Sequence, residues 1–226
     1  MISLSYLITI KNEDSTLKNL LERIISLIEP SDEIIILDDF SDNSKTKQIL
    51  LEYSNKINVR VCQHALDNDY GSHKNYGIEQ CNGDFIFAID ADELPPETLL
   101  GENLHALLEE NPGIEAYAIP RINDFRGVTE LDARQWGWKL DISPTYERMR
   151  VNFPDYQFRI FLRSYPRISY KRRLHEKIEG YSKYCILPAN EDYALYHDKT
   201  IEKQRETNGV YNILFTQEEN RGHKPV

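Results

Sequence analysis

An acidic cluster, Asp90-Ala91-Asp92-Glu93, directly follows the apolar run Phe85-Ile86-Phe87-Ala88-Ile89. Carboxylates in that position have no place in a core, because burying them unpaired is too costly. Hard oxygen ligands one residue apart suit Mg²⁺ or Mn²⁺ and leave coordination positions for phosphate oxygens. A cation held by Asp90 and Asp92 would neutralise charge on a departing diphosphate. The plainer alternative is a polar turn that caps the next helix. A second cluster, Asp38-Asp39-Phe40-Ser41-Asp42, follows the run Ile34–Leu37. Asp38 and Asp39 can accept hydrogen bonds from a base N–H or from ribose hydroxyls, while Ser41 or Asp42 suits a helix N-cap. Thr9, Asn12 and Glu13 leave a first apolar run and offer polar groups for a base pocket. Gly71-Ser72-His73-Lys74-Asn75-Tyr76-Gly77 lets a ligand approach closely, with Lys74 placed to pair with phosphate. It lacks the GxxxxGK[ST] pattern and is not a P-loop.

These residues need a scaffold that gathers them. Leu4–Ile10, Ile34–Leu37, the segment around Val59 and Val61, and Phe85–Ile89 read as strands. Between them, Leu17, Leu20, Leu21, Ile24, Ile25 and Ile28 recur at helical spacing behind a cap at Asp14 or Ser15. Ser44–Tyr53 and Ser72–Gln80 read as two more helices. Pro95-Pro96 predicts the first turn of a helix reaching about Glu110, and Ile114–Ile122 a further strand. Alternating strands and helices imply an α/β fold: a mostly parallel sheet with right-handed crossovers and helices on both faces. Ligands bind beyond the carboxyl ends of such strands, so both acidic clusters should meet at one rim. The texture divides near residue 122. Residues 1–122 form the regular α/β half, and 123–226 a smaller, more aromatic and basic region of the same domain with a helix near its end.

The chain has 226 residues, 40% hydrophobic and 28% charged, with a net charge of -10, as in a globular protein rather than a general nucleic-acid binder. Cys62, Cys81 and Cys185 form no close pair, which argues for thiols in a reducing compartment. No basic leader is visible, and no apolar run approaches the ~20 residues that span a bilayer. The expected setting is the cytoplasm, or the inner face of a membrane as a peripheral protein.

The ordered set Asn12-Glu13, Asp38-Asp39-x-Ser41, Lys74-Asn75-x-Gly77, Gly83-Asp84 and Asp90-Ala91-Asp92-Glu93 resembles glycosyltransferase family 2. Gly137-Trp138, Phe153-Pro154-Asp155-Tyr156-Gln157-x-Arg159-Ile160-Phe161-x-Arg163 and Leu174-His175-Glu176 are similar to the bacterial branch that builds lipopolysaccharide core. The resemblance covers roughly residues 3 to 200. It implies a GT-A (Rossmann-like) fold, a nucleotide diphosphate sugar donor with UDP favoured, Mn²⁺ or Mg²⁺, and inversion at the anomeric carbon. By matching positions, Asp39 would contact the nucleoside and Asp92 the metal, with Asp90 nearer the ribose or a metal-bound water. Phe40 stands where glycine is common, and Lys74 where arginine is usual.

Inverting transfer needs a general base. Glu176 suits it, with Glu93, Asp155 and Asp192 as rivals. His197 could complete the metal shell, and His175 could meet diphosphate or acceptor. Trp136 and Trp138 could stack on a sugar or acceptor base, or pack internally. Gln157 and Arg159 should face the donor from a strand whose Phe158 and Ile160 pack. The basic stretch Arg159–Lys183 could meet an anionic glycan, a glycolipid or DNA, the last requiring a flipped base. The competing readings are a sugar-phosphate nucleotidyltransferase and a non-catalytic nucleotide-sugar-binding protein. The former would want a glycine- and basic-rich loop after the first strand, which Thr9–Glu13 does not supply.

Overall fold

The computed structural model describes residues 2–142, 148–216 and 219. The first half runs β1 (Leu4–Ile10), α1 (Ser15–Ile25), β2 (Glu33–Asp38), α2 (Ser44–Tyr53), β3 (Val59–Gln63), α3 (Tyr70–Gln80) and β4 (Phe85–Asp90). Then come β5 (Glu93–Leu94), α4 (Gly101–Glu110), β6 (Ala116–Ile119), β7 (Arg121–Arg126) and α5 (Glu130–Trp136). The remainder is β8 (Leu140–Ile142), β9 (Arg148–Val151), β10 (Gln157–Leu162), β11 (Ser169–Lys171), β12 (Lys177–Glu179), β13 (Tyr184–Ile186), β14 (Leu195–Thr200) and α6 (Ile201–Leu214). The polar end of the tail lies largely outside the described residues.

Seven strands form the main sheet in the order β13-β6-β10-β4-β1-β2-β3. All its pairs are parallel except those of β10, which runs antiparallel to β4 and β6. Both faces are covered, which explains why the strands read as unbroken apolar runs. Tyr6, Ile8, Ile36 and Phe87 pack under α1 and α4, whereas Leu7, Ile35 and Ile86 pack against Ile78 of α3 and the β11–β12 hairpin. The parallel register places Ile10 beside Asp38 and Thr9 beside Asp90, so both acidic clusters emerge at one edge.

Three expectations need correction. The helix predicted from Pro95-Pro96 is interrupted: a 3₁₀ turn at Glu97–Leu99 precedes α4, and Gly101, the first residue of α4, takes φ +56°. The strand predicted over Ile114–Ile122 is two strands. Pro120 has no N–H to give a ladder, and β6 and β7 enter different sheets on either side of it. The cap of α2 is Asn43, whose Oδ1 accepts from the Lys45 and Thr46 amides, not Ser41 or Asp42.

The second sheet, β5-β14-β7-β9-β8, was not anticipated. It draws β5 from the first half of the chain, while β10 and β13 of the second half join the main sheet. The division near residue 122 therefore falls inside β7, between interleaved sheets. The three cysteines are free. Among the described residues no helix is long and apolar enough to cross a membrane.

A Cβ on Gly101 would lie 2.6 Å from the Leu27 carbonyl oxygen, at a backbone angle that side chains disfavour. Gly101→Ala should lower folding stability by about 1–3 kcal/mol, measured as a shift in the urea midpoint. An unchanged midpoint would mean that the 3₁₀–helix junction is not constrained there.

Candidate active site

Beyond the strand ends, charges alternate along one connected chain. Lys74 Nζ contacts Glu176 Oε1 at 2.7 Å and Asp90 Oδ1 at 3.0 Å. The other Asp90 oxygen accepts from Arg159 Nη2 at 2.6 Å, and the same nitrogen donates to Glu93 Oε1. Arg121 donates to Glu93 at 2.9 Å and to Asp155 Oδ2 at 2.6 Å. A β-bulge between Phe158 and Ile160 turns Arg159 inward from β10. Burial opposes ionisation throughout, but the partners outweigh it. Arg159 and Lys74 hold Asp90 well below the usual carboxylate range, and Arg121 lowers Asp155. Asp90 and Glu93 raise Arg159, and Asp90 and Glu176 raise Lys74.

The chain of contacts continues to Asp92 through neutral groups. Asn123 Nδ2 donates to Asp155 Oδ2 at 2.8 Å and to the Val151 carbonyl at 3.4 Å, which orients its amide. Asn123 Oδ1 therefore accepts the Nδ1 proton of His197, at 2.8 Å. Burial lowers the His197 pKa despite the pull of Asp92. The neutral ring thus turns an Nε2 lone pair toward Asp92 Oδ2, 3.3 Å away. Two acceptors facing each other fit a shared cation, with Asn123 as the partner that fixes the histidine tautomer. Lys199 Nζ stands 3.6 Å from the same Asp92 oxygen. Among the described residues no group of three His, Cys, Asp or Glu side chains converges on one point. Two protein donors accord with a Mg²⁺ or Mn²⁺ whose other positions go to phosphate and water.

Several expected roles change. Asp90 was a candidate metal ligand, but both of its oxygens are committed: Oδ1 to Lys74 and Thr9 Oγ1, Oδ2 to Arg159. Glu93 was a candidate base, but its carboxyl is fully buried between two arginines. Asp192 lies beside Thr98 at a separate surface hollow with Pro95 and Glu97, apart from the charge chain. Asp155 faces the cleft, yet Arg121, Asn123 and Gln157 Nε2 occupy its oxygens. Trp136 packs on Trp138, centroids 4.7 Å apart, in a small core with Phe125, and Trp138 also lines a cavity.

At the carboxyl ends of β1 and β2, Asp38 is internal, accepting from the Ser41 amide and Gln63 Nε2. Asp39 accepts from the Leu66 amide and lies 3.4 Å from Lys11 Nζ, with its carboxyl partly exposed. Asn12 joins two loops by accepting from the Asp42 and Asn43 amides, and Glu13 pairs with Lys203 of α6. Asn75 brackets the Tyr170 backbone with two hydrogen bonds rather than facing a ligand. Ala91 is buried. Phe40 adopts φ +46°, the left-handed backbone that a glycine would take without strain.

Two cavities open along the charge chain. One of about 380 Å³ is lined by His197, Lys199, Asn123, Asp155 and Trp138. The other, about 830 Å³, lies over β6, β10 and β13. Glu176, His175, Lys177, Gln157 and Arg121 line both. Arg121, Asn123, Lys199 and Tyr211 were not foreseen. Three of them sit on β7 and β14, whose pairing sets Asn123 beside His197 across the unanticipated sheet.

The profile described as Glycosyl transferase family 2 matches residues 5–178. The chain belongs to this family. An undecaprenyl-phosphate 4-deoxy-4-formamido-L-arabinose transferase of Photorhabdus laumondii is 34% identical over 101 residues, 42% of this chain and 31% of that protein. A poly-beta-1,6-N-acetyl-D-glucosamine synthase of Staphylococcus epidermidis is 28% identical over 89 residues, 39% of this chain and 21% of that protein. The chain thus spans about a third or less of the curated relatives it matches. The structure of S. aureus TarS with UDP-GlcNAc superposes with a TM-score of 0.61 at 19% identity, covering 88% of this chain and 59% of that one. The fold is GT-A, as the sequence resemblance implied.

Two outcomes test the charge chain. Arg159→Met leaves Glu93 buried with Arg121 alone and should cost about 3 kcal/mol in a urea melt. Adding Glu93→Gln to that variant should recover part of the loss, and no recovery would break the proposed coupling. Asp90 and Asp155 titrate lower in the folded protein than in the unfolded chain. Their contribution is present above pH ~4 and lost as pH falls toward their folded values. The urea midpoint should drop below pH ~4, with a shallower slope in Asp155→Asn; equal slopes would refute the Asp155 contribution.

Proposed function

We propose that this protein transfers a glycosyl group from a nucleotide diphosphate sugar to an acceptor hydroxyl with inversion, and that Glu176 is the general base. The observation carrying this reading is the position of Glu176. Its carboxylate lines both cavities and is tied through Lys74 to Asp90, at the rim where the acidic strand ends meet. Of the four candidate carboxylates, it alone faces both spaces without being enclosed by arginines.

In this reading the nucleoside lies over β1 and β2, where Asp39 accepts a hydrogen bond from base or ribose. The TarS complex with UDP-GlcNAc supports a UDP-sugar as donor. Asp92 and His197 would hold Mg²⁺ or Mn²⁺, which when bound neutralises charge gathering on the leaving diphosphate. Lys74 holds Glu176 by Oε1 and so orients the carboxylate. The acceptor hydroxyl gives its proton to Glu176 as its oxygen bonds to the anomeric carbon. The bond from that carbon to the diphosphate oxygen breaks, and its electron pair leaves with the diphosphate. The inferred setting is the cytoplasm or the inner face of a membrane.

Incubation with Mn²⁺ and UDP-, GDP- or dTDP-sugars, reading nucleoside diphosphate release, tests the activity. Glu176→Gln should lower kcat by roughly 10²–10⁴-fold with little change in donor affinity. Asp92→Asn should abolish turnover and metal-dependent UDP binding while keeping the circular dichroism of the fold. Wild-type kcat in Glu176→Gln would move the base elsewhere. Pyrophosphate release from a nucleoside triphosphate and a sugar phosphate would replace glycosyl transfer by nucleotidyl transfer.

A further inference from the structure

The larger cavity has a chemistry that the transfer reaction alone does not require. One wall is aromatic. Phe158 lies 4.9 Å from Tyr181 and 5.6 Å from Tyr184, centroid to centroid, and Tyr181 and Tyr184 are 5.9 Å apart. Tyr184 is 52% exposed and its strand neighbour Ile186 49%, both lining the cavity. Such open aromatic faces suit the C–H face of a sugar ring.

The opposite rim is cationic in a specific way. Part of the basic stretch after residue 158 is engaged within the fold. Arg159 belongs to the charge chain, Arg163 donates to the Gly83 carbonyl, and Arg167 pairs with Glu115. Arg173 reaches the Asn68 carbonyl and Glu219. Arg172 and Lys177 both line the cavity, and neither side chain has a hydrogen bond or ion pair among the described residues. Lys177 is pushed to a lower pKa by burial and by Arg172, against the pull of Glu179. Two cations that disfavour each other at a cavity mouth fit a shared anion.

Polar atoms in the same wall await a partner. The Tyr170 hydroxyl and His175 Nε2 are buried without a hydrogen bond among the described residues, although both side chains line the cavity. Tyr170 is only 5% exposed, and His175 holds a left-handed backbone, φ +53°, immediately before Glu176. Buried polar groups are normally satisfied, so two at one wall point to a hydroxyl-rich ligand.

We propose that this cavity is the acceptor subsite and takes a sugar bearing a phosphate or carboxylate group. Its ring lies on the Phe158–Tyr181–Tyr184 wall and its anion between Arg172 and Lys177. Tyr170 and His175 hydrogen-bond its hydroxyls, which brings one of them to Glu176. A volume of about 830 Å³ exceeds the needs of one hexose and leaves room for a second residue or a phosphoryl group. The proposal rests on the glycosyl-transfer reading and names the acceptor that the reading leaves open.

The test titrates the full chain, with UDP and Mn²⁺ present, against glucose 6-phosphate, glucuronate and methyl glucoside by ligand-observed NMR. Anionic sugars should bind at least tenfold more tightly than methyl glucoside, and Arg172→Ala/Lys177→Ala should remove that preference. Tyr184→Ala should weaken all three sugars. Phosphate preferred over carboxylate would assign a phosphosugar, and the reverse a uronic acid. Equal binding of charged and neutral sugars would overturn the proposal, as would an unchanged preference in the double variant. Tighter binding of a single-stranded oligonucleotide than of either anionic sugar would also overturn it. UDP titration of the wild-type protein reads the donor site separately. Failure there counts against the transferase reading, whereas failure of the sugar titration counts against this one.

Discussion

The site depends on one guanidinium. Arg159 lies between Asp90 at the end of β4 and Glu93 at the start of β5, touching both through the same nitrogen. Without it, two carboxylates three residues apart would face each other in a nearly dry interior. With it, the chain leaves the main sheet at Asp90, sets Asp92 against His197 and Lys199, and enters the second sheet at Glu93. Arg121, the first residue of β7, grips Glu93 from the other side. One buried cluster of charge thus welds the two sheets at the point where the chemistry is placed. This is a costly way to join sheets, since buried ion pairs repay little of their desolvation. Its return is positional, because each carboxylate is fixed by more than one partner.

Much of the main sheet was legible in the sequence. β1 spans the residues that the apolar run predicted, and α2 begins and ends where its spacing placed it. These elements follow from local pattern: continuous apolar runs for strands buried on both faces, and helical spacing for their covers. The convergence of the acidic clusters also followed, since parallel strands carry their ends to one edge. The second sheet was not legible. Its central pair, β7 and β14, joins residues more than 70 positions apart, and its strands alternate charged and apolar residues without a distinctive run.

The same limit applies to the candidate site. Residue type singled out the carboxylates as a group but could not sort them. Asp90 and Glu93 became internal counter-charges because Arg159 and Arg121 arrive from elsewhere in the chain. Asp192, equally acidic in sequence, lies at another surface. The bulge at Arg159 is a matter of register with two neighbouring strands, and no single strand encodes it. Asn123 shows the point most clearly: an ordinary polar residue in a strand becomes the group that decides which nitrogen of His197 carries a proton.

The alternating contacts have a collective consequence. From Glu176 to Asp155 the ladder contains three cations, Lys74, Arg159 and Arg121, against four carboxylates, Glu176, Asp90, Glu93 and Asp155. Adding Asp92 and its neighbour Lys199 leaves the excess at one negative charge, since His197 is neutral. The floor of the cleft is therefore slightly negative, and the cations that could receive an anion, Arg172 and Lys177, stand at the rim of the larger cavity. On the proposed reading, a diphosphate would meet that floor together with a divalent counter-ion, so the field would screen the incoming complex before shape has any say.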